Sequence, residues 1–300
     1  MGAVFEPKQY NGQLCYFKTL YTRQCTLSKH SEISPFNLYY LKIHHFISII
    51  RNTAILSMSE IYPFEWRENS EEEQNHRAKF WSSPNSIGVH HVISSPMEVN
   101  MPASFVKNGV HKRIWNLKPR DDDIWLVTYP KCGTTMSQEL LWQMSRGCNV
   151  NSDESKTQLF TRSPFLEMGG MRVSGDNNER PAYLQDPISY AESLKSPRIL
   201  KTHLPVSMLP PDVLKTSKVI VVARNVKDAC VSFYHHEKLL KHHGWSASFE
   251  DYVEFFMDGK PGGCGNYWVH LKVKTKKSCM RYIYFTSSLS VKLSFYNTLC

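Results

Sequence analysis

The chain has 300 residues, of which 41% are hydrophobic, and a formal net charge of +9. This length suits one large α/β domain or two small ones, with ample material for a core. The positive charge lies at the two ends, with +4 over residues 1–57, −2 over 58–258 and +7 over 259–300. Because a surface that binds nucleic acid needs its charge clustered on the folded domain, this distribution argues against a nucleic-acid partner.

The cysteines and the apolar segments predict a cytoplasmic location. The eight cysteines are scattered with no C-x-x-C pair, which indicates free thiols in a reducing compartment rather than disulfides or a zinc site. Met1–Tyr10 lacks the basic start and the apolar stretch of a signal peptide. Phe36–Met58 is the most apolar segment, but Lys42 and Arg51 interrupt it well short of the ~20 apolar residues of a membrane helix. We therefore expect a soluble protein with no membrane partner.

Three zones follow one another along the chain. Residues 1–57 have weak periodicity and predict a poorly ordered N-terminal extension, residues 58–268 form the expected domain, and residues 269–300 are a basic tail. Within the domain, strand and helix patterns alternate, which predicts an α/β fold with a parallel sheet flanked by helices. The predicted strands are Ile124–Tyr129, Arg198–Thr202 and Lys218–Ala223, and the predicted helices are Thr135–Arg146, Val226–Lys241 and Phe249–Met257.

The most informative segment reads Tyr-Pro-Lys-Cys-Gly-Thr-Thr-Met at residues 129–136. It joins a strand to a helix, so backbone N–H groups and the positive helix end would face an anion, and Lys131 adds a full charge. Its order differs from the nucleotide triphosphate loop G-x-x-x-x-G-K-[ST], because Lys131 precedes Gly133. An ordinary strand–helix turn is the alternative, but such a turn requires neither the lysine nor the two threonines.

Further polar residues stand at or near predicted strand ends. Arg162-Ser-Pro-Phe-Leu-Glu167 follows the first helix, Lys201 and His203 end the second strand, Arg224 ends the third, and Ser232 lies on the next helix. Together with the loop, these blocks resemble the cytosolic sulfotransferases, especially the insect members, over about 160 residues. Proteins of that family transfer a sulfuryl group from 3′-phosphoadenosine 5′-phosphosulfate (PAPS) to a small acceptor.

The resemblance implies a role for each of these residues. His203 would be the general base, because imidazole titrates near neutrality. Lys131 would stabilise charge on the leaving 5′-phosphate, and Lys201 would support the sulfuryl oxygens. A planar guanidinium suits the 3′-phosphate, which Arg224 would hold with Ser232. The residues implied at the 5′-phosphosulfate are Lys131, Cys132, Gly133, Thr134, Thr135 and Met136.

The acceptor is expected to be a phenol, a steroid or another alcohol, and the residues leave its identity open. Phe165 either lines an apolar acceptor pocket or belongs to the core. Lysine and arginine charges would replace a metal, so no metal cofactor is expected. His235 and His242 share a helix face, but acidic or cysteine ligands are not arranged around them.

The chain departs from the family pattern in two places. Met136 stands where the family has a tryptophan that stacks on adenine, and a methionine offers less stacking area. After Trp268 the chain matches neither the family's adenine contacts nor its Arg-Lys-Gly loop, and the family's dimer motif is also absent. These differences predict a sulfotransferase fold that is incomplete at the carboxyl terminus, a monomer, and weak or absent PAPS binding.

Other interpretations remain beside the enzyme. One is an impaired sulfotransferase-like remnant that at most binds a nucleotide or a full-length partner. A nucleic-acid binder depends only on the basic tail. A kinase is disfavoured by the loop order and by the position of Asp121–Asp123, which precedes its strand instead of following one.

Overall fold

The computed structural model describes residues 62–82, 89–92, 99–171, 180–240, 243–260, 265–271, 282–285 and 291–292. The N-terminal extension predicted over residues 1–57 and most of the predicted tail lie outside these ranges, so the zone boundaries stay predictions.

The described elements alternate between strands and helices over most of the chain. The strands are β1 (Trp66–Glu68), β2 (Val89–Val92), β3 (Asn100–Pro102), β4 (Ile124–Thr128), β5 (Ile199–Thr202), β6 (Lys218–Arg224), β7 (Tyr282–Phe285) and β8 (Val291–Lys292). The helices are α1 (Glu71–Ala78), α2 (Ala103–Lys107), α3 (Val110–Trp115), α4 (Thr134–Ser145), α5 (Leu159–Arg162), α6 (Ala182–Gln185), α7 (Pro187–Ser193), α8 (Val213–Thr216), α9 (Val226–Leu239), α10 (Phe249–Met257) and α11 (Tyr267–Leu271). Short 3-10 helices cover Glu154–Lys156, Leu166–Gly170 and Val206–Met208.

The central sheet has the strand order β5-β4-β6-β7-β8. Its first four strands are parallel and β8 is antiparallel to β7. A separate antiparallel sheet contains β1, β2 and β3. The predicted α/β class with a parallel sheet is confirmed, and the predicted strands and helices of the middle zone agree with the observed bounds to within two residues.

Side chains of the central strands alternate between two apolar layers. Trp125 and Val127 of β4 belong to one buried cluster, and Ile124 and Leu126 belong to another that includes Leu141 and Trp142 of α4. Since successive strand residues point to opposite faces, the two clusters are the two faces of the sheet. Burial on both faces explains why β4 and β6 are almost continuously apolar.

An aromatic cluster packs beyond the end of β4. Tyr129 contacts Phe233 of α9, Phe256 of α10 and Tyr267 of α11, with ring centroids 5.1–6.0 Å apart. The Tyr129 hydroxyl donates to the carbonyl of Gly265. These contacts hold three helices around the segment that follows β4. No helix in the described ranges combines the length and apolar character needed to span a membrane.

A buried ion pair joins the beginnings of the central strands. The Arg198 guanidinium donates to both carboxylate oxygens of Asp123, from Nε at 2.7 Å and from Nη2 at 2.5 Å, and both side chains are almost fully buried. The same guanidinium donates to the carbonyls of Lys118 and Ala191, and the Asp123 carboxylate accepts from the N–H of Arg120. This network therefore links the amino ends of β4 and β5 to the preceding loop and to α7.

We predict that Arg198→Met destabilises the protein by about 3–5 kcal/mol, because the Asp123 carboxylate would remain buried without its partner. Unfolding in urea measures the loss. Arg113→Met is the control, since Arg113 pairs with Asp186 at the surface with both side chains at least 40% exposed, and it should cost about 1 kcal/mol or less. Equal losses in the two variants would contradict this prediction.

Candidate active site

Three strands of the central sheet end at one edge, and the polar residues that follow them come together there. Val127 of β4 pairs with Thr202 of β5, and Thr128 pairs with Val222 of β6. The strands are parallel, so the loop after β4, His203 after β5 and Arg224 at the end of β6 share the carboxyl edge. Ligands on such sheets bind at this edge.

The loop between β4 and α4 presents backbone donors. Lys131 and Gly133 both have left-handed backbone conformations, with φ of 66° and 94°. This conformation is uncommon for a residue with a side chain, and it concentrates at ligand-binding turns. Gly133 precedes α4, whose first turn has no side-chain cap and no acidic residue within the described ranges. The first N–H groups of α4 and its positive dipole end are therefore suited to an anion.

Two cationic groups stand beside this loop. The Arg224 Nη1 donates to the carbonyl oxygen of Lys131 over 3.1 Å. Partial burial, with a smaller contribution from the Arg224 charge, lowers the pKa of Lys131. The Arg224 charge acts unfavourably on that of Lys131, so the pair adds a second electrostatic reason for anion binding here.

The other loop residues divide between the interior and the surface. Cys132 is buried in the aromatic cluster, and burial raises the pKa of its thiol to about 12, so it is neither ionised nor reactive at neutral pH. The Thr134 hydroxyl points inward, 2.7 Å from the Thr128 hydroxyl. Thr135 and Met136 are exposed on the first turn of α4. Of these four side chains, those of Thr135 and Met136 are therefore open to a ligand.

His203 is held in one tautomer. Its Nδ1 lies 2.7 Å from the carbonyl oxygen of Thr128 and 3.1 Å from the Thr128 hydroxyl. Because a carbonyl can only accept, Nδ1 carries the hydrogen and Nε2 retains its lone pair. Burial, and then the nearby Lys201 charge, lower the pKa of His203 well below its ordinary value. The ring is therefore neutral near pH 7 and can accept a proton at Nε2.

Phe165 packs against this imidazole, and Lys201 packs against Phe165. The Phe165 ring centroid lies 4.9 Å from that of His203, nearly perpendicular to it. The Lys201 ammonium lies 4.1 Å from the centroid of Phe165 and 5.8 Å from that of Phe160. Cation–π contacts of this kind orient a lysine over aromatic faces. The structure thus brings together the predicted residues Lys131, Lys201, His203, Phe165 and Arg224.

Ser232 is the predicted residue with the least connection to this group. It lies half-buried on the second turn of α9, which begins just after Arg224. Within the described ranges, its hydroxyl forms no hydrogen bond with the residues named above. No group of three or more His, Cys, Asp or Glu side chains in the same ranges is placed to hold a metal ion.

Four residues at the site were given no role in the reaction by sequence reasoning. Thr128 contacts both His203 and Thr134. His270 of α11 donates from Nε2 to the carbonyl of His203 over 2.8 Å, and burial lowers its pKa to about 4. Burial and then the charge of Lys131 lower the pKa of His236 to about 4. The fourth, Glu167, carries the one available signal, an acidic residue that closes the apolar run Pro-Phe-Leu.

A sequence profile of the sulfotransferase domain matches residues 121–287. The luciferin sulfotransferase of Photinus pyralis is 36% identical over 160 residues, which cover 51% of this chain and 42% of that protein. Sulfotransferase 4A1 of Homo sapiens is 33% identical over 171 residues, covering 55% of this chain and 52% of its own length.

A solved structure shares the fold. The crystal structure of retinol dehydratase in complex with retinol and PAP superposes with a TM-score of 0.59 at 25% identity, covering 70% of this chain and 66% of that one. The chain spans about half the length of the curated relatives that it matches. The profile match, however, covers more than half of this chain. The chain therefore belongs to the family of proteins built on the sulfotransferase domain.

Proposed function

We propose that the protein is a PAPS-dependent sulfotransferase that transfers a sulfuryl group to a hydroxyl or an amine of a small acceptor. The observation that carries the proposal is the meeting of an anion-binding loop with a neutral imidazole at one sheet edge. Relatives support the class of acceptor, since their names include a luciferin sulfotransferase, and retinol dehydratase has been crystallised with retinol or androsterone. A phenol, a steroid or another alcohol is therefore the proposed acceptor.

The loop fits the phosphate end of PAPS. The uncapped N–H groups of α4 follow this loop, which carries Lys131 and accepts a hydrogen bond from the Arg224 guanidinium, and no acidic residue occupies the first turn of α4. The exposed Met136 side chain provides an apolar surface for the adenine. Cys132, Gly133, Thr134 and Thr135 would contribute backbone, and the resemblance assigns Ser232 with Arg224 to the 3′-phosphate. Retinol dehydratase was crystallised with PAP, which supports the same class of ligand.

His203 supplies the base. When bound, PAPS provides the sulfuryl group and a 5′-phosphate that leaves with the electron pair of the broken S–O bond. The acceptor oxygen or nitrogen needs to lose a proton as its bond to sulfur forms, and the free Nε2 lone pair of His203 can take that proton. The Nδ1–H bond to the Thr128 carbonyl keeps this lone pair available and limits rotation of the ring.

Lys131 and Lys201 stabilise the charge that moves during transfer. Sulfuryl transfer resembles phosphoryl transfer, in which a loose group passes between two nucleophiles and fixed cations provide much of the catalysis. Lys131, in the loop, would neutralise the leaving phosphate. Lys201, whose ammonium lies 4.1 Å from the Phe165 ring centroid, would support the sulfuryl oxygens. Phe165 itself would form one apolar wall of the acceptor pocket next to the base.

The cellular compartment of the protein and the extent of its domain are also proposed. The described cysteines Cys132, Cys148 and Cys230 are free thiols, which fits a reducing, cytoplasmic compartment. Residues 58–268 are proposed as the main part of the domain.

We predict that the protein binds PAP more weakly than micromolar and that Met136→Trp strengthens this binding roughly tenfold or more. An indole stacked on the adenine contributes ~1–3 kcal/mol, and Met136 offers less stacking area. Isothermal titration calorimetry measures both affinities. Met257→Trp is the matched control, because Met257 is a similarly exposed methionine on α10.

Micromolar binding by the unsubstituted protein would contradict the predicted weakness. An equal gain from Met257→Trp would contradict adenine stacking at residue 136. Undetectable binding in all the variants would favour the second candidate function, a catalytically impaired relative, which the departure at Met136 already suggests.

We predict that turnover of labelled PAPS with a panel of phenols is low. We also predict that His203→Ala lowers this turnover by a further factor of about 10²–10⁴, because the proton acceptor is removed. His235→Ala is the control, since His235 is exposed on α9, and it should retain the original rate. Residual turnover that survives His203→Ala unchanged would exclude His203 as the base.

A further inference from the structure

A buried carboxyl group lies directly behind the carboxyl end of β5, where His203 follows the strand. Glu167 is fully buried in the 3-10 helix Leu166–Gly170. Its Oε1 accepts from the Thr202 hydroxyl at 2.7 Å, from the His203 N–H at 2.6 Å and from the Leu204 N–H at 3.0 Å. A single oxygen thus organises the three consecutive residues on which His203 is mounted.

These bonds act on the backbone at the point where β5 ends. Beyond Thr202 the strand ladder with β4 stops, so the N–H groups of His203 and Leu204 need other acceptors. Glu167 supplies one acceptor for both, and the Thr202 hydroxyl also accepts from the Leu204 N–H at 3.0 Å. The backbone at residue 203 is therefore fixed in the position from which the imidazole Nδ1 reaches the Thr128 carbonyl.

The segment that carries Glu167 is itself tied to the phosphate-binding side. The Lys201 N–H donates to the Pro164 carbonyl over 3.0 Å, so this segment runs beside β5 as a short parallel bridge. Gln138 of α4 donates to the carbonyl and to the hydroxyl of Ser163, both at 3.0 Å. The helix that begins at the anion-binding loop thus holds the segment from which Glu167 reaches the base.

The packing around Glu167 leaves little freedom. A Cβ at Gly170 would lie 2.7 Å from the Phe105 Cα, so the 3-10 helix lies in direct contact with α2. The Oε2 of Glu167 has no hydrogen-bond partner within the described ranges. A buried carboxyl group with one unsatisfied oxygen is costly to stability, which argues that it is retained for another reason.

We propose that Glu167 is a positioning residue that sets the tautomer and orientation of His203 through the backbone of residues 202–204. The inference rests on the proposed function, because it matters for turnover only if His203 is the base. It predicts that the acceptor oxygen at Oε1, rather than side-chain volume alone, decides how His203 is held.

Long-range ¹H–¹⁵N correlation spectra of the histidine rings, recorded on the full-length chain at neutral pH, test this proposal. The His203 signals are identified by their absence in His203→Gln. We expect the Nδ1–H pattern in the unsubstituted protein and in Glu167→Gln, whose amide oxygen can still accept at Oε1. We expect Glu167→Ala to shift His203 towards a mixture of both tautomers.

Two variants make the test specific. Glu167→Asp keeps the carboxyl group but shortens the reach, so it should shift His203 as Glu167→Ala does and replaces that variant if the alanine protein does not fold. Glu139→Ala is the matched control, because the Glu139 carboxylate binds Arg162 of the neighbouring α5 and none of residues 202–204. It should leave the His203 signals unchanged.

An unshifted Nδ1–H pattern in folded Glu167→Ala or Glu167→Asp would overturn the proposal, and so would an equal shift in Glu139→Ala. The readout needs neither PAPS nor turnover, so it separates the two hypotheses. A protein in which His203 shifts as expected but PAP does not bind would contradict the proposed function and leave the role of Glu167 supported.

The protonation state of Glu167 provides a second measurement. Burial raises the pKa of Glu167 from 4.5 to about 7, against the lowering effect of its hydrogen bonds from Thr202 and His203. The folded protein therefore holds this proton between these pH values while the unfolded chain releases it. Compared with Glu167→Gln, we expect the urea midpoint of the unsubstituted protein to fall as pH rises from 4.5 to about 7, and to change little above that.

Other ionisable groups lie near this segment, and both proteins contain them. Their contributions to the pH dependence of the urea midpoint therefore cancel when the unsubstituted protein is compared with Glu167→Gln. On the elements packed against this segment, those groups are Lys201 in β5 and His203 after it, Lys107 on α2, His111, Lys112 and Arg113 on α3, Tyr183 on α6, Tyr190 and Glu192 on α7, and Asp186 before α7. Parallel urea midpoints for the two proteins across this pH range would show that Glu167 is ionised throughout, and would overturn the buried, proton-holding carboxyl described here.

Discussion

The hydrogen bonding of β4 to a parallel neighbour on each side is the constraint on which the site depends. The register with β5 and β6 aligns the three strand ends, so residues far apart in the chain reach one edge. The buried pair of Asp123 and Arg198 ties the opposite ends of β4 and β5 together. Packing on both faces of the sheet leaves its edge as the place where polar groups meet solvent.

At this edge of the sheet, the local environment decides which side chains are charged. The phosphate side holds Lys131 and Arg224 next to an uncapped helix start, and nothing in the first turn of α4 opposes an anion. The base side is less solvated, and burial keeps His203 neutral while its hydrogen bond to Thr128 selects one tautomer. A neutral imidazole beside fixed cations would suit the proton transfer and phosphate release of the proposed reaction.

Sequence patterns predicted the architecture well because each central element has a simple physical signature. A β-branched run such as Lys218–Arg224 is what a strand buried on both faces requires, and the Lys-Cys-Gly order after β4 marks a tight turn into a helix. The contacts of Glu167 were not predictable in this way. Its partners at residues 202–204 lie 35–37 positions away in the chain, and periodicity carries no information about such a pairing.

The amino-acid sequence by itself determined the α/β class, the anion-binding loop and most of the residues at the sheet edge, since these follow from local periodicity, turn chemistry and family motifs. Only the tertiary structure decided which groups are open to a ligand. It turned Cys132 and Thr134 inward, left Met136 exposed, fixed the proton of His203 on Nδ1 and placed Glu167 behind it. Burial and hydrogen-bond partners determine these properties, and both arise from contacts between distant segments.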